Sequence, residues 1–116
     1  MISVEAKSFD NADEVNNSFA NALIESVNIR GQRVNKLTLQ PGWKWSVDVK
    51  PTIGTVTCQA SHLGLILSGE IHCVHDDADE VTYSAGEAYS IAPGHDAWVV
   101  GDDVAVCYEF AGMWGE

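Results

Sequence analysis

Cysteine and histidine side chains offer most of the chemistry available to this sequence. Cys58 and His62 are four residues apart, and His95 directly follows the corner Pro93-Gly94. Thiolate sulfur and imidazole nitrogen suit zinc, nickel, copper or iron better than calcium or magnesium. We therefore expect Cys58, His62 and His95 to hold one divalent transition metal (Zn, Ni, Cu or Fe), with no cofactor as the alternative.

Aromatic side chains indicate a second kind of site. Indole and phenol rings combine a large apolar surface with one polar group, and the mouths of β-barrels often bind small molecules between such rings. The predicted small-molecule ligand therefore contacts six side chains: Trp43, Trp45, His62, Tyr89, His95 and Trp98. Packing in the protein core is the alternative explanation for the indoles.

Length and charge exclude several classes of protein. A chain of 116 residues with 46% hydrophobic side chains has room for one folded domain. Six basic and seventeen acidic residues give a net charge of −11, which repels nucleic acid and anionic membranes. No apolar run reaches membrane-spanning length, and residues 1–15 lack a secretory pattern. We therefore expect a cytoplasmic protein with no nucleic-acid or membrane partner.

Short segments of period two dominate from about residue 22 and predict about ten strands with little helix. Residues 43–50 alternate most clearly and are predicted to form a strand. The nearly continuous apolar run 63–67 suggests a strand covered on both sides. If Ser68 and Gly69 form a hairpin turn, His62 pairs with His75. Cys58, His62, Cys73 and His75 would then cluster at one end of the interior.

The stretch from Gly86 through Pro93-Gly94 to Trp98 resembles the second motif of the cupins, and the region up to Gly69 resembles the first. This resemblance covers residues 37–110. It implies an all-β, cupin-type double-stranded β-helix or jelly-roll barrel. One domain would span residues 1–116, with the barrel core at about 33–110. Residues 1–32 would form an N-terminal extension with a short turn or helix and edge strands.

The same resemblance shows where this chain departs from metal-binding cupins, which usually hold the metal with three His and one Glu. The corresponding positions here are Val56, Cys58, His62 and Ala97. Valine and alanine cannot bind a metal, so the usual ligand set is absent. Activities that depend on that set are not carried over to this chain.

Three functions remain open. The first is a cupin barrel that binds a small molecule, with or without a metal, and has no assignable reaction. The second is a metal-dependent dioxygenase, isomerase or lyase with an atypical Cys58, His62 and His95 site, in which the metal activates oxygen or acts as a Lewis acid. The third is a homodimeric interaction module that buries Leu63, Leu65 and Leu67 against its partner.

Overall fold

Two antiparallel β-sheets form most of the structure and share one buried core. The computed structural model describes residues 2–111, 113 and 114, with 49% strand and 11% helix. The strands are β1 (Glu14–Asn16), β2 (Ala22–Ile29), β3 (Gln32–Leu39), β4 (His62–Ser68), β5 (Glu70–His75), β6 (Glu80–Ser84), β7 (Ala88–Ile91), β8 (His95–Val99) and β9 (Ala105–Ala111). The sheet orders are β1-β2-β3-β9-β4-β7 and β6-β5-β8. The expected all-β fold with little helix is confirmed.

Residues 1–32, which were expected to be an extension, contribute two strands to the larger sheet. β2 pairs with β3 over its whole length and contributes Ile24 to the core. Before β1, a short 3-10 helix at Phe9–Asn11 places the Phe9 ring 5.2 Å from that of Tyr108 on β9. The N-terminal segment therefore packs against the outer face of the larger sheet. No helix in the described part of the chain is long and apolar enough to cross a membrane.

Residues 43–50 do not form the strand that their alternating pattern predicts. The chain makes a π-helical turn at Trp45–Val49, which continues into α1 (Lys50–Ile53). The carboxylate of Asp48 accepts the backbone N–H of Lys44 at 2.9 Å, and the carbonyl of Lys44 accepts the N–H of Asp48 at 2.8 Å. These local hydrogen bonds satisfy backbone groups that would otherwise pair with a neighbouring strand. They therefore favour the helical turn over the predicted strand.

Ser68 and Gly69 carry the chain from one sheet to the other and do not form a hairpin turn. β4 pairs with β7 and β9, whereas β5 pairs with β6 and β8. The predicted pairing of His62 with His75 is therefore wrong. Gly69 has a φ of +75°, and a Cβ atom there would lie 2.7 Å from the Cα of Ala105. The crossing thus needs a residue without a side chain.

Alternation along β4 correctly predicts which of its side chains point inward. His62, Gly64 and Ile66 are buried, and the residues between them face outward. Leu63 is 52% exposed and Leu67 is 51% exposed. The prediction of a strand covered on both sides is therefore wrong for the single chain, because the outer face of β4 remains accessible to solvent.

Candidate functional site

Cys58, His62 and His95 come together inside the barrel. One ligand atom from each side chain lies within 4.8 Å of the other two, and all three residues are buried. His62 is the first residue of β4 and His95 the first of β8, so the two histidines extend from different sheets. Cys58 precedes β4, and main-chain hydrogen bonds connect it to the start of β8. Its N–H donates to the carbonyl of His95 at 2.8 Å, and its carbonyl accepts the N–H of Gly94 at 2.7 Å.

Both imidazole rings are oriented by an acceptor at Nδ1. Nδ1 of His62 lies 2.8 Å from Oε1 of Glu109, and Nδ1 of His95 lies 2.9 Å from the carbonyl oxygen of Ala92. A carbonyl and a carboxylate accept hydrogen bonds, so each ring carries a proton on Nδ1. In the neutral ring Nε2 therefore carries the free lone pair. Nε2 of His62 is 3.7 Å from Sγ of Cys58.

Glu109 is a buried acidic residue that the sequence analysis did not select. Its Oε1 accepts from His62, and its Oε2 accepts the hydroxyl of Tyr89 at 2.6 Å. The side chain is only 6% exposed, so these bonds replace the water that a carboxylate normally binds. Glu109 shares the inward face of β9 with Ala105 and Cys107, but the sequence does not reveal this face because the outward positions of the strand are also apolar or aromatic.

The protonation of the site is set by burial and by its neighbours. Burial alone disfavours the thiolate of Cys58, but hydrogen bonding to His62 and His95 outweighs it and lowers the pKa of Cys58 to about 7. Burial alone also disfavours the cation of His62. Contacts with Cys58 and then Glu109 outweigh that effect and raise the pKa of His62 to about 9. In the metal-free protein this pair therefore favours a thiolate beside an imidazolium.

The other two cysteines are separate from this group. Cys73 on β5 and Cys107 on β9 are both buried. Burial raises the pKa of Cys73 to about 11 and that of Cys107 to about 12. Both therefore stay protonated and behave as small apolar side chains.

The predicted cluster of Cys58, His62, Cys73 and His75 does not form. Although His75 is paired with His95 in the β5 and β8 ladder, its ring turns outward. Nε2 of His75 donates to the carbonyl of Pro93 at 2.8 Å. This bond, and then the nearby carboxylate of Asp77, raise the pKa of His75. His75 therefore stabilises the Pro-Gly corner from outside the barrel.

A small cavity of about 30 Å³ lies beside the two inward histidines and exceeds the space that one water molecule needs. Five of the six predicted ligand-contacting residues line it: Trp43, Trp45, His62, Tyr89 and His95. Trp114, which the sequence analysis did not consider, also lines it and stacks on Trp43 with ring centres 5.4 Å apart. Indole rings therefore fill most of the interior volume that a larger ligand would need.

Trp98, the sixth predicted residue, lies on the outer face of β8 and is not in the cavity. Its ring centre is 5.0 Å from that of His72 and 4.9 Å from Nζ of Lys44. Along β8 the inward positions are His95 and Ala97, so a residue three positions after His95 must face outward. The prediction for Trp98 is corrected on this ground.

The two positions of the expected cupin ligand set that hold aliphatic residues, Val56 and Ala97, supply no metal ligand in the structure. Val56 is 79% exposed, while Ala97 is buried and lines the cavity. His95 precedes Ala97 by two residues and so points to the same side of β8. His95 therefore occupies the inward position of β8 just before Ala97, the position where the cupin motif places its histidine.

Comparison with solved structures defines the fold. A protein of unknown function from Rhizobium leguminosarum bv. viciae superposes with a TM-score of 0.65 at 16% identity, covering 97% of this chain and all of that one. An RmlC-like cupin from Shewanella frigidimarina gives 0.60 at 16% identity, covering 91% and 90%. A protein of unknown function from Vibrio parahaemolyticus gives 0.60 at 23% identity, covering 84% and 96%.

These similarities show a cupin-type fold for this chain. The sequence matches no protein-family model and no curated protein. The fold assignment thus depends on shape, while any function depends on the residues of the site.

Proposed function

We propose that this chain is a metal-binding cupin-type barrel in which Cys58, His62 and His95 hold one divalent transition metal. The observation that carries the proposal is the convergence of three buried ligand atoms within 4.8 Å of one another. Each comes from a different segment of the chain, and a buried thiol contacting two imidazoles is seldom required for packing alone. In this proposal the barrel also binds a small molecule, and the metal is the centre at which that molecule binds.

The spacing of the ligand atoms fits a tetrahedral ion. Zinc bonds of about 2.3 Å to sulfur and about 2.0 Å to nitrogen place those two atoms about 3.5 Å apart at the tetrahedral angle. The observed separation of Sγ of Cys58 and Nε2 of His62 is 3.7 Å. This pair therefore needs little movement to bind zinc or cobalt, and the ligand atom of His95 already lies within 4.8 Å of both.

The residues around the three ligands also suit a metal. A histidine ligand commonly donates its second N–H to a carboxylate or a carbonyl, which fixes the ring and increases its basicity. Glu109 does this for His62, and the Ala92 carbonyl does it for His95. Three protein ligands leave one tetrahedral position open, as in catalytic zinc sites. His62 and His95 both line the cavity, so the cavity is the space next to these proposed ligands.

Titration with cobalt(II) tests the proposal directly, because a thiolate ligand gives cobalt an intense charge-transfer band. The parent protein is expected to bind one equivalent and show this band. Cys58→Ser should lose the band, and His62→Gln and His95→Gln should lose stoichiometric binding. Cys73→Ser is the matched control, because that thiol is buried, lies outside the group and does not line the cavity. Circular dichroism confirms that each variant is folded. Binding that survives all three ligand substitutions would refute the metal centre.

A further inference from the structure

Two indole N–H groups in the barrel have no hydrogen-bond partner. Nε1 of Trp43 and Nε1 of Trp45 are the buried side-chain nitrogen or oxygen atoms in the described chain that lack one. Their residues are 3% and 1% exposed, so bulk water does not supply the missing acceptor. A buried donor left unpaired costs about 1–3 kcal/mol, which makes two of them in one place unusual for a packed core.

Both indoles line the same small cavity as His62 and His95. The carboxylate in its wall, that of Glu109, is already engaged at both oxygens by His62 and Tyr89. The residues that line the cavity therefore include two with unpaired donors and two of the three proposed metal ligands. Its remaining walls are mainly apolar. An acceptor that carries negative charge would match this set of groups.

We propose that the cavity is the binding site of a small oxyanion, a carboxylate of the size of formate, which accepts the N–H groups of Trp43 and Trp45. This inference deepens the metal-binding function and rests on it for the charge beside the ligand. The small volume of the cavity, about 30 Å³, favours a ligand at the small end of the carboxylates. Larger carboxylates would require Trp114 to leave its place against Trp43.

Formate is the probe for the experiment, with binding measured by calorimetry and by the visible spectrum of the cobalt(II)-loaded protein. Trp43→Phe and Trp45→Phe each remove one N–H and keep an aromatic ring in the core. Each substitution should weaken formate binding at least tenfold, the loss expected for a buried hydrogen bond to a charged acceptor. Trp98→Phe is the matched control, because its indole lies outside the barrel, and its affinity should equal that of the parent.

The outcomes separate this inference from the metal proposal. If cobalt(II) does not bind, the metal proposal fails, and the same formate titrations on the metal-free protein decide the indole contacts. Weaker binding by both cavity variants supports the inference in either form of the protein. Equal affinity in the parent, Trp43→Phe and Trp45→Phe would overturn it. So would the absence of formate binding to the parent in both forms, since a single water would then satisfy the indoles.

Discussion

Nδ1 of His62 lies 2.8 Å from Oε1 of Glu109, across 47 residues of sequence. The two residues stand on neighbouring strands of the larger sheet, β4 and β9. This contact holds the histidine ring so that Nε2 faces the sulfur of Cys58. The position of one proposed ligand thus depends on an acidic residue that does not itself touch the other two ligands.

Replacing Glu109 with glutamine should weaken metal binding. The amide retains an acceptor oxygen for His62 but removes the negative charge that increases the basicity of the ring. Loss of such a supporting group typically reduces metal affinity about ten- to hundredfold. Competition titration of zinc against a chelator measures the change. Glu14→Gln, on the exposed strand β1, serves as the control, and equal affinities in the two variants would contradict the role of Glu109.

Cys58 should be the first cysteine of the metal-free protein to react with iodoacetamide. Its pKa is lowered to about 7, whereas those of Cys73 and Cys107 are raised to about 11 and 12. It also lines an open pocket of about 250 Å³, which provides a route for a small reagent. Peptide mass spectrometry gives the order of modification, and bound zinc should protect Cys58. Simultaneous modification of all three thiols in the folded protein would be inconsistent with this structure.

Asp13 should stabilise the fold at neutral pH and not in acid. Its carboxylate accepts the backbone N–H of Asn28 at 2.7 Å and the ammonium of Lys7 at 3.0 Å, and these two contacts lower its pKa. A lowered pKa in the folded state means that stabilisation is present above the ordinary value of 3.8. It is lost as the pH falls through the folded value.

Urea unfolding of Asp13→Asn tests this pH dependence. The variant should have a lower midpoint than the parent at pH 7, and the difference should close as the pH falls below 3.8. Asp103→Asn, at an exposed aspartate in a bend, should match the parent throughout. A midpoint difference that stays constant in acid would show that the charge of Asp13 is not responsible.

The outer face of β4 should form the interface of a homodimer. Leu63, Leu65 and Leu67 are 52%, 36% and 51% exposed and form one apolar stripe. Burying such a stripe against a second copy would remove apolar surface from water. Sizing chromatography of Leu65→Asp should show a shift from dimer to monomer. Val81→Asp places the same charge on the exposed face of β6 and should leave the dimer intact. A parent protein that elutes as a monomer would exclude this interface.

The fold class could be predicted from the sequence because alternation is a local property. The inward face of β4 follows from it directly, as do the inward positions of Ile71 and Cys73 on β5, whereas His75 at the end of β5 turns outward. Strand partners do not follow from it, since the choice between a hairpin and a crossing at Ser68-Gly69 depends on how Gly69 meets Ala105, far along the chain. The pattern of residues 43–50 fits a helical turn as well as a strand, since Trp45 and Val49, four residues apart, are both buried, and the Asp48 carboxylate stabilises the turn at Lys44.

The candidate site was predictable where residue type alone is informative. Cys58, His62 and His95 were selected by their chemistry, and the structure brings them together. Glu109 was missed because a single acidic residue late in an acidic chain carries no signal until the inward face of β9 is known. The error at Trp98 was avoidable, because strand alternation does not allow it to share a face with His95.

Two of the proposed ligands are joined by main-chain bonds between Cys58 and the Gly94-His95 corner. Such bonds use no side-chain atoms, so the distance between positions 58 and 95 does not depend on which residues occupy them. Replacing Cys58 with aspartate would exchange a soft sulfur donor for a hard oxygen donor while these main-chain bonds remain available. The metal preference of the proposed site could therefore be changed at position 58 without altering the strands that hold the site.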